Sequence, residues 1–362
     1  MKLPDNATAS GAPRTLYRRG VKHGQVLIVP TKRTLPLADA VQAQWQAAQP
    51  VHLPALLLPE VEKYANEIRD ALHIMRRVRA GESCIDILVE EPFISRLEPD
   101  FDLLSPVHSG DAQEIEKIVF DAVKSGELFA EDLWMKVSCL SFFDDDNSIR
   151  FRFSYGMEMF KNQEDDPLRE ALAAELAARV FPECRMLSDN VQLRELLAAV
   201  LDFSPLFVER IIYSNAPGGG AQFHQDVEND HVGIVYAQLY GHTAWLALPR
   251  VDLLRHVCEY LAADDSDAFA ELRQRAQNQA SLVELIESDD QGALEILLNA
   301  TPAFTARLIE AGCGLTLAPG DVLLLPQASS EHCCWHSVFC LDDSALNNPP
   351  GHSLSFAITQ TA

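Results

Sequence analysis

A chain of 362 residues with 48% hydrophobic and 23% charged side chains has an ordinary globular composition, with length for one large or two modest domains. Its formal net charge of −24 argues against a nucleic-acid backbone as the main partner, because such a partner requires a basic patch. The charge serves solubility, or suits a basic protein or peptide partner. Without a membrane-length apolar run, a secretory leader or paired cysteine spacing, the sequence predicts a cytoplasmic protein with free thiols and no membrane contact.

Residues 1–204 are predicted to form an α-rich region with a few strands. Apolar residues recur at helical spacing in five segments, and short apolar or alternating runs predict three strands. In chain order these are a strand at Gln25–Val29, helices at Leu37–Ala48 and Leu58–Arg79, a strand at Ile85–Val89, a helix at Asp111–Lys124, a strand at Ile149–Phe153, and helices at Pro167–Val180 and Val191–Leu201.

The strand predicted at Ile149–Phe153 alternates strictly between polar and apolar residues. Period two puts Arg150 and Arg152 on one face and the apolar side chains on the other. Two cations on one face can hold a dicarboxylate, but solvated arginines on an edge strand explain the same pattern. We favour the edge strand.

After residue 205 the chain becomes a series of short strands separated by Gly and Pro. Strands are predicted at Val208–Ser214, Val232–Leu239, Thr243–Leu248, Gly314–Leu317, Asp321–Leu325, Cys334–Cys340 and His352–Thr359. Short antiparallel strands that close on one another make a barrel or a double-sheet jelly roll. The predicted fold class is therefore α+β, with this β-rich domain over residues 205–362.

One helical block interrupts the strands at about residues 252–312. It contains predicted helices at Leu253–Ala262, Asp267–Gln279, Leu282–Ser288 and Ala293–Ala311. The sequence leaves open whether this block covers an outer face of the barrel, caps its mouth or forms the contact of a homodimer.

The stretch Pro217–Asp226 carries the first chemical signal. Three glycines lead into His224-Gln-Asp226, and in an extended chain His224 and Asp226 lie on the same face. An imidazole and a carboxylate side by side are two of the three ligands of a 2-His-1-carboxylate iron(II) site. Alone, the pair is better explained by surface residues or a hydrogen-bonded turn.

Downstream segments extend this signal. Ala318–Pro326 is a Pro-Gly turn that feeds an apolar strand, and Cys333-Cys-Trp-His336-Ser-Val338 follows after a short loop. Together with Pro217–Asp226 and with Ala237–Pro249, this ordered set resembles the JmjC/cupin-type 2-oxoglutarate oxygenases. The lead-in Ser-x-x-Pro-Gly-Gly-Gly is similar to that of the ribosomal-protein hydroxylases. The resemblance covers roughly residues 205–360.

The resemblance implies a double-stranded β-helix that holds Fe(II) through His224, Asp226 and His336 and uses 2-oxoglutarate as cosubstrate. It implies hydroxylation of a protein or peptide side chain, or of a small molecule. The family spacing counted from Pro326 would select His332 as the third ligand. The Trp-His-x-Val context selects His336, which we favour.

The remaining cysteines, histidines and carboxylates give weaker evidence of a metal site. Cys333 and Cys334 with the two histidines would make a zinc cluster, but adjacent cysteines are poor partners in a tetrahedral site. His231, His242, His256 and His352 have no spacing typical of metal ligands, and solvated loop carboxylates are expected at Glu228 and Asp230.

The sequence departs from the family where the distal carboxylate of 2-oxoglutarate is usually paired with a cation. Gly241–Trp245 holds no Lys or Arg, and neither residue type occurs after Arg307. An unpaired buried carboxylate is costly, so other side chains must bind it. The candidates are Arg210, Tyr213, His242, Thr243, Ser353, Ser355, Arg150 and Arg152. The alternatives are a cupin-fold metal enzyme that uses no oxo acid, and a non-catalytic binding protein of the same fold.

Overall fold

A computed structural model of the protein describes residues 13–27, 34–142, 146–156, 166–228, 230–288, 290–341 and 350–360. Its helices are α1 (Ala38–Gln46), α2 (Leu58–Lys63), α3 (Ala65–Arg79), α4 (Cys84–Leu88), α5 (Phe93–Leu97), α6 (Pro167–Val180), α7 (Arg185–Ser188), α8 (Val191–Leu201), α9 (Arg250–Ala263), α10 (Ala270–Ala276), α11 (Gln279–Ile286), α12 (Ala293–Ala300) and α13 (Pro302–Glu310). Its strands are β1 (Pro13–Arg18), β2 (Val21–Leu27), β3 (Val51–Leu53), β4 (Phe101–Val107), β5 (Glu114–Lys124), β6 (Glu127–Cys139), β7 (Ile149–Tyr155), β8 (Pro205–Asn215), β9 (His231–Tyr240), β10 (Thr243–Pro249), β11 (Gly314–Leu317), β12 (Val322–Pro326), β13 (Cys334–Cys340) and β14 (Gly351–Gln360).

Two antiparallel sheets pack face to face in the C-terminal half. The large sheet has the order β3-β12-β9-β14-β8-β7-β6-β5-β4 and the small one β11-β10-β13. The segment 219–224 adds to the free edge of β13, because the amides of Cys340 and Val338 donate to the carbonyls of Gly219 and Ala221. Tyr236 and Trp245 lie in the apolar layer between the sheets. This architecture confirms the predicted α+β class with a double-stranded β-helix core.

The large sheet continues across the predicted boundary at residue 205. Strand β7 pairs with β8, with Arg150 opposite Tyr213 and Arg152 opposite Ile211. On its far side β7 pairs with β6, so in the described chain it is an interior strand and not the edge strand that the sequence predicted. The division into regions 1–204 and 205–362 stays a prediction.

Helices cover one face of this sheet. The carboxylate of Asp166 caps α6 by accepting from the amides of Leu168 and Arg169, and Pro167 occupies the first turn. Just after α6, the ring of Phe181 packs edge-on against Phe151 of β7 at a centroid distance of 5.1 Å. The apolar face of β7 is thereby buried, and the arginines of β7 lie on the opposite face.

Two predicted elements have the wrong type. Asp111–Lys124 is not a helix but contains β5, whose alternate residues Ile118, Phe120 and Ala122 enter the core. Ile85–Val89 is not a strand: the helix α4 begins at Cys84, where the Glu116 carboxylate accepts from the amides of Cys84 and Ile85. Both elements take their observed form from contacts with residues distant in sequence: β5 pairs with neighbouring strands, and Glu116 caps α4.

The inserted block α9–α13 covers the outer face of the small sheet. Leu294, Leu297 and Phe304 belong to one apolar cluster with Leu246 of β10 and Phe339 of β13. The sequence left three places open for this block, and it occupies the outer face. In the described part of the chain, no helix is long and apolar enough to cross a membrane.

Candidate metal centre

The structure brings His224, Asp226 and His336 together at one end of the double-stranded β-helix. The backbones of His224 and His336 pair with each other at the edge of the small sheet, and the centres of their rings lie 4.2 Å apart. The Nε2 atoms of His224 and His336 lie 3.5 and 3.4 Å from the two carboxylate oxygens of Asp226. One ligand atom from each residue falls within 4.8 Å of the others, which is the arrangement of three ligands on one face of a metal ion.

Hydrogen bonds fix the direction of both imidazole rings. Nδ1 of His224 donates to the carbonyl of Gln222 at 2.7 Å, and Nδ1 of His336 to the carbonyl of Cys334 at 3.3 Å. With the proton on Nδ1, each Nε2 lone pair faces the shared position beside Asp226. Burial, with the neighbouring His224 as the second cause, lowers the pKa of His336 to about 4. His336 is therefore unprotonated at neutral pH and able to bind a metal ion, and this donor set fits Fe(II).

The side chains of Gln327 and Trp245 contact Asp226 and His336, or the backbone beside them, and hold these two candidate ligands in place. The Oε1 atom of Gln327 accepts from the Asp226 amide at 3.3 Å, and its Nε2 donates to the carbonyl of Cys334 at 2.8 Å. Gln327 thus joins the loop of Asp226 to the strand that carries His336. The indole of Trp245 stacks on the His336 ring at 5.5 Å.

The glycines explain how segment 219–224 reaches β13. Gly220 has a φ of +133°, and a Cβ atom there would overlap the backbone carbonyl of Val338. At Gly219 a Cβ atom would overlap the side chains of Asp146 and Ser148. Only glycine permits both the backbone conformation and this close approach.

Substitution of Gly220 by alanine is expected to destabilise the fold by about 2–4 kcal/mol, because the segment must move away from β13. Urea unfolding measures the loss. Gly110→Ala is the matched control, since Gly110 also has a positive φ, +84°, but has open space where its Cβ would lie. Equal stability of the two variants would contradict the proposed role of the close approach.

The N-terminal hairpin β1–β2 holds the same segment from outside. The buried guanidinium of Arg18 donates to the carbonyl of Ala221 at 2.6 Å, to Ser337 Oγ, and to Asn299 Oδ1 at 3.2 Å. Its Cζ lies 4.5 Å from the centre of the Phe339 ring. Burial lowers the pKa of Arg18 to about 9, with Arg19 as the second cause. Arg18 therefore fixes the backbone three residues before His224.

Removing the Arg18 hydrogen bonds with Arg18→Met is expected to weaken Fe(II) affinity by roughly 10- to 100-fold, the range found for residues that orient metal ligands. Competition with a coloured chelator measures the affinity. Arg69→Met, on the exposed face of α3, is the control. Unchanged affinity in Arg18→Met would show that the hairpin does not position the ligand segment.

A cleft with about 510 Å³ of atom-free space opens beside the three ligands. Tyr213 and Ser355, two of the residues predicted to bind the cosubstrate, line it. Burial raises the pKa of Tyr213 to about 12, with the Asp226 carboxylate as the second cause, so its hydroxyl is a donor. The other lining residues are Leu140, Asn215, Gly220, Ala221, His224, Asp226, Ile234, Tyr236, Trp245, Leu325, His336, Val338 and Cys340.

Asn215 and Tyr236 are site residues that sequence reasoning missed. Nδ2 of Asn215 donates to Ser353 Oγ at 2.8 Å and to the Tyr236 hydroxyl at 3.3 Å. Asn215 follows Tyr213 by two residues on β8, so period two alone could have placed both on one face. Ser353 enters the site through this bond and does not line the cleft.

Three predicted cosubstrate residues lie elsewhere. Arg210 faces the N-terminal helices, where it pairs with Glu170 at 3.4 Å. His242 occupies the turn after β9, and the buried Thr243 donates to Gln238 Oε1 at 2.9 Å. None of them lines the cleft.

The rival ligands are also separated from the centre. His332 lies in the turn between β12 and β13, where its amide bonds to Ser329, and it does not join the group of three. Cys333 packs with the inserted helices, and Cys334 lies in the layer between the sheets. Burial raises the pKa of both thiols, which disfavours the thiolate form that binds zinc.

No model of a known protein family and no curated protein matches the chain. Among solved structures, the chain is similar to an oxidoreductase of the 2OG-Fe(II) oxygenase family from Burkholderia pseudomallei, with 10% identity and a TM-score of 0.34 over 91% of this chain and 93% of that one. It is also similar to AviO1 from Streptomyces viridochromogenes Tue57, with 11% identity and a TM-score of 0.37 over 91% of this chain and 97% of that one. Function is therefore inferred from the side chains of the site.

Proposed function

We propose that the protein is an Fe(II)- and 2-oxoglutarate-dependent oxygenase that hydroxylates a protein or peptide side chain. The observation that carries this proposal is the convergence of His224 Nε2, His336 Nε2 and the Asp226 carboxylate beside an open cleft. Three ligands on one face leave the opposite positions of an octahedral ion free for an oxo acid and O2.

The residues of the chain would hold, orient and shield the reactants. With Fe(II) and 2-oxoglutarate bound, the site would supply an oxidant for a C–H bond, dividing O2 between the new hydroxyl and succinate as CO2 leaves. Trp245, Ile234 and Leu325 give the cleft apolar walls that exclude water. The Nδ1 hydrogen bonds hold both imidazoles in the tautomer that binds metal.

The substrate class is supported by the negative charge of the chain and by carboxylates close to Asp226 in sequence. Glu209, Glu228 and His231 form a second group, with ligand atoms within 4.8 Å of one another, and Glu228 is exposed. Glu228 follows Asp226 by two residues. Glu209 is paired with Arg152, but the exposed Glu228 and the chain charge of −24 favour a basic peptide over an acidic one.

The full chain, reconstituted with Fe(II), is expected to release succinate only when 2-oxoglutarate and O2 are present. A basic peptide should raise the release and gain the mass of one oxygen atom, whereas an acidic peptide should not. Asp226→Ala should lose the activity, and Asp189→Ala, at the exposed end of α7, should keep it. Iron binding without succinate release would contradict the proposed use of 2-oxoglutarate.

A metal enzyme that uses no oxo acid is the second candidate. It is favoured by one observation, the absence of Lys and Arg from the residues that line the cleft in the described chain. Oxygen consumption that does not depend on 2-oxoglutarate would select it. The third candidate, a non-catalytic binding protein, would be selected by absence of metal together with ligand binding that survives His224→Ala.

A further inference from the structure

The cleft must bind the end of the cosubstrate that does not chelate the metal, and it offers no cation there. The described residues that line it include neither Lys nor Arg. A carboxylate in such a cleft therefore has to be held by neutral donors or not at all.

The nearest arginines, Arg150 and Arg152, do not line the cleft. Arg150 lies opposite Tyr213 on β7, and its charge, with that of Arg152, acts to lower the pKa of the Tyr213 phenol. Its Nε donates to Ser138 Oγ of β6 at 3.1 Å. Arg152 pairs with Glu209 at 3.2 Å. Neither guanidinium lines the cleft, although the sequence made both candidates for a dicarboxylate.

Two hydroxyl groups in the cleft remain free to donate. Within the described residues, the phenol of Tyr213 and Oγ of Ser355 make no hydrogen bond, and both residues line the cleft. They lie on neighbouring strands, since Ile211 of β8 pairs with Ser355 and Tyr213 with Ser353. A single acceptor group can therefore reach both hydroxyls.

A fixed network supports this pair. Asn215 donates to Ser353 and Tyr236, and Tyr236 donates to Gln238 Oε1 at 3.0 Å. Both Nδ2 bonds of Asn215 are thus taken by the protein, which leaves its amide unable to replace the missing cation. Asn215 and Tyr236, the two members of this network that line the cleft, are both neutral.

We propose that Tyr213 and Ser355 recognise the far end of the oxo acid as a neutral hydrogen-bond acceptor and not as an anion. This inference rests on the proposed function and specifies its selectivity. A site with a paired cation discriminates a carboxylate from an uncharged acceptor by roughly 100-fold or more. This cleft should discriminate them by no more than about tenfold.

Three oxo acids of matched length separate these possibilities. 2-Oxoglutarate ends in a carboxylate, 2,5-dioxohexanoate in a methyl ketone, and 2-oxohexanoate in a plain alkyl chain. Their metal-chelating ends are identical. Calorimetric titration of the full chain, loaded with Fe(II) without oxygen, measures binding without turnover. The first two should bind within about tenfold of each other, and 2-oxohexanoate roughly 10- to 100-fold more weakly.

Variants assign the effect to the two hydroxyls. Tyr213→Phe and Ser355→Ala should each weaken 2-oxoglutarate and 2,5-dioxohexanoate by roughly 3- to 10-fold and leave 2-oxohexanoate unchanged. Tyr260→Phe, in the inserted helix α9, is the control and should change none of the three affinities. The selective loss is a readout that a general disturbance of the fold would not produce.

The failures are distinguishable. Binding of 2-oxoglutarate at least 100-fold tighter than 2,5-dioxohexanoate would overturn the neutral anchor and leave the proposed function standing. The neutral anchor would also be overturned if each of the three acids bound the Tyr213→Phe variant with the same affinity as the parent protein. No binding of any oxo acid to the iron-loaded protein would overturn the proposed function and this inference together.

Discussion

Replacement of His336 by alanine is expected to lower Fe(II) affinity by at least about 100-fold and to remove oxo acid turnover. A residue that only orients a ligand changes affinity by roughly 10- to 100-fold, and His336 would supply a ligand atom itself. Its Nε2 lies 3.4 Å from the Asp226 carboxylate, and its side chain is buried. Iron content after reconstitution and a chelator titration measure the effect.

His332→Ala is the matched control for this prediction. His332 lies in the same β12–β13 connection and was the rival third ligand, but it bonds to Ser329 in the turn. Its removal should leave iron affinity within about twofold of the parent, as expected for a half-exposed turn residue outside the site. Loss of iron in His332→Ala with retention in His336→Ala would reverse the ligand assignment.

Removal of His352 is expected to destabilise the fold by about 3–5 kcal/mol, because it leaves the buried carboxylate of Glu183 without its partner. Nε2 of His352 lies 2.7 Å from Glu183 Oε1, and both side chains are fully buried. The pair joins β14 to the turn after α6, and Nδ1 of His352 lies 3.4 Å from the carbonyl of Tyr213. Urea unfolding of His352→Leu measures the loss.

A double substitution completes the test of the buried pair. With Glu183→Leu added to His352→Leu, no unpaired charge remains and most of the lost stability should return. The coupling energy of the double-mutant cycle isolates the pair from general repacking. Additive losses in the two single variants would show that the residues do not act together.

The helices and strands predicted correctly are those for which the local sequence pattern and the long-range pairing agree. Pro167–Val180 is a helix over the predicted residues because its cap, its proline and its apolar spacing all lie within the segment. Gly314–Leu317 and Cys334–Cys340 likewise have the predicted bounds. At Asp111–Lys124 the local pattern also fits a helix, but the segment forms strand β5 because it pairs with β4 and β6.

The candidate site likewise contains residues that local sequence pattern identifies and residues that only the three-dimensional fold brings together. His224 and Asp226 are neighbours in sequence and His336 has a motif of its own, so pattern alone could propose them. Arg210 fails as a cosubstrate anchor because strand alternation turns it to the opposite face from Tyr213. Neither Arg18, which approaches from the N-terminal hairpin, nor Gln327 carries a sequence signal that relates it to His224.

X-ray absorption of the Fe(II)-loaded protein tests the metal centre most directly. Two imidazoles and one carboxylate predict a first shell of nitrogen and oxygen atoms at about 2.0–2.2 Å, with the outer scattering of two imidazole rings. The spectrum should lose one ring in His336→Ala. A sulfur shell at about 2.3 Å would place the metal at a cysteine thiolate and contradict the assignment of His224, Asp226 and His336.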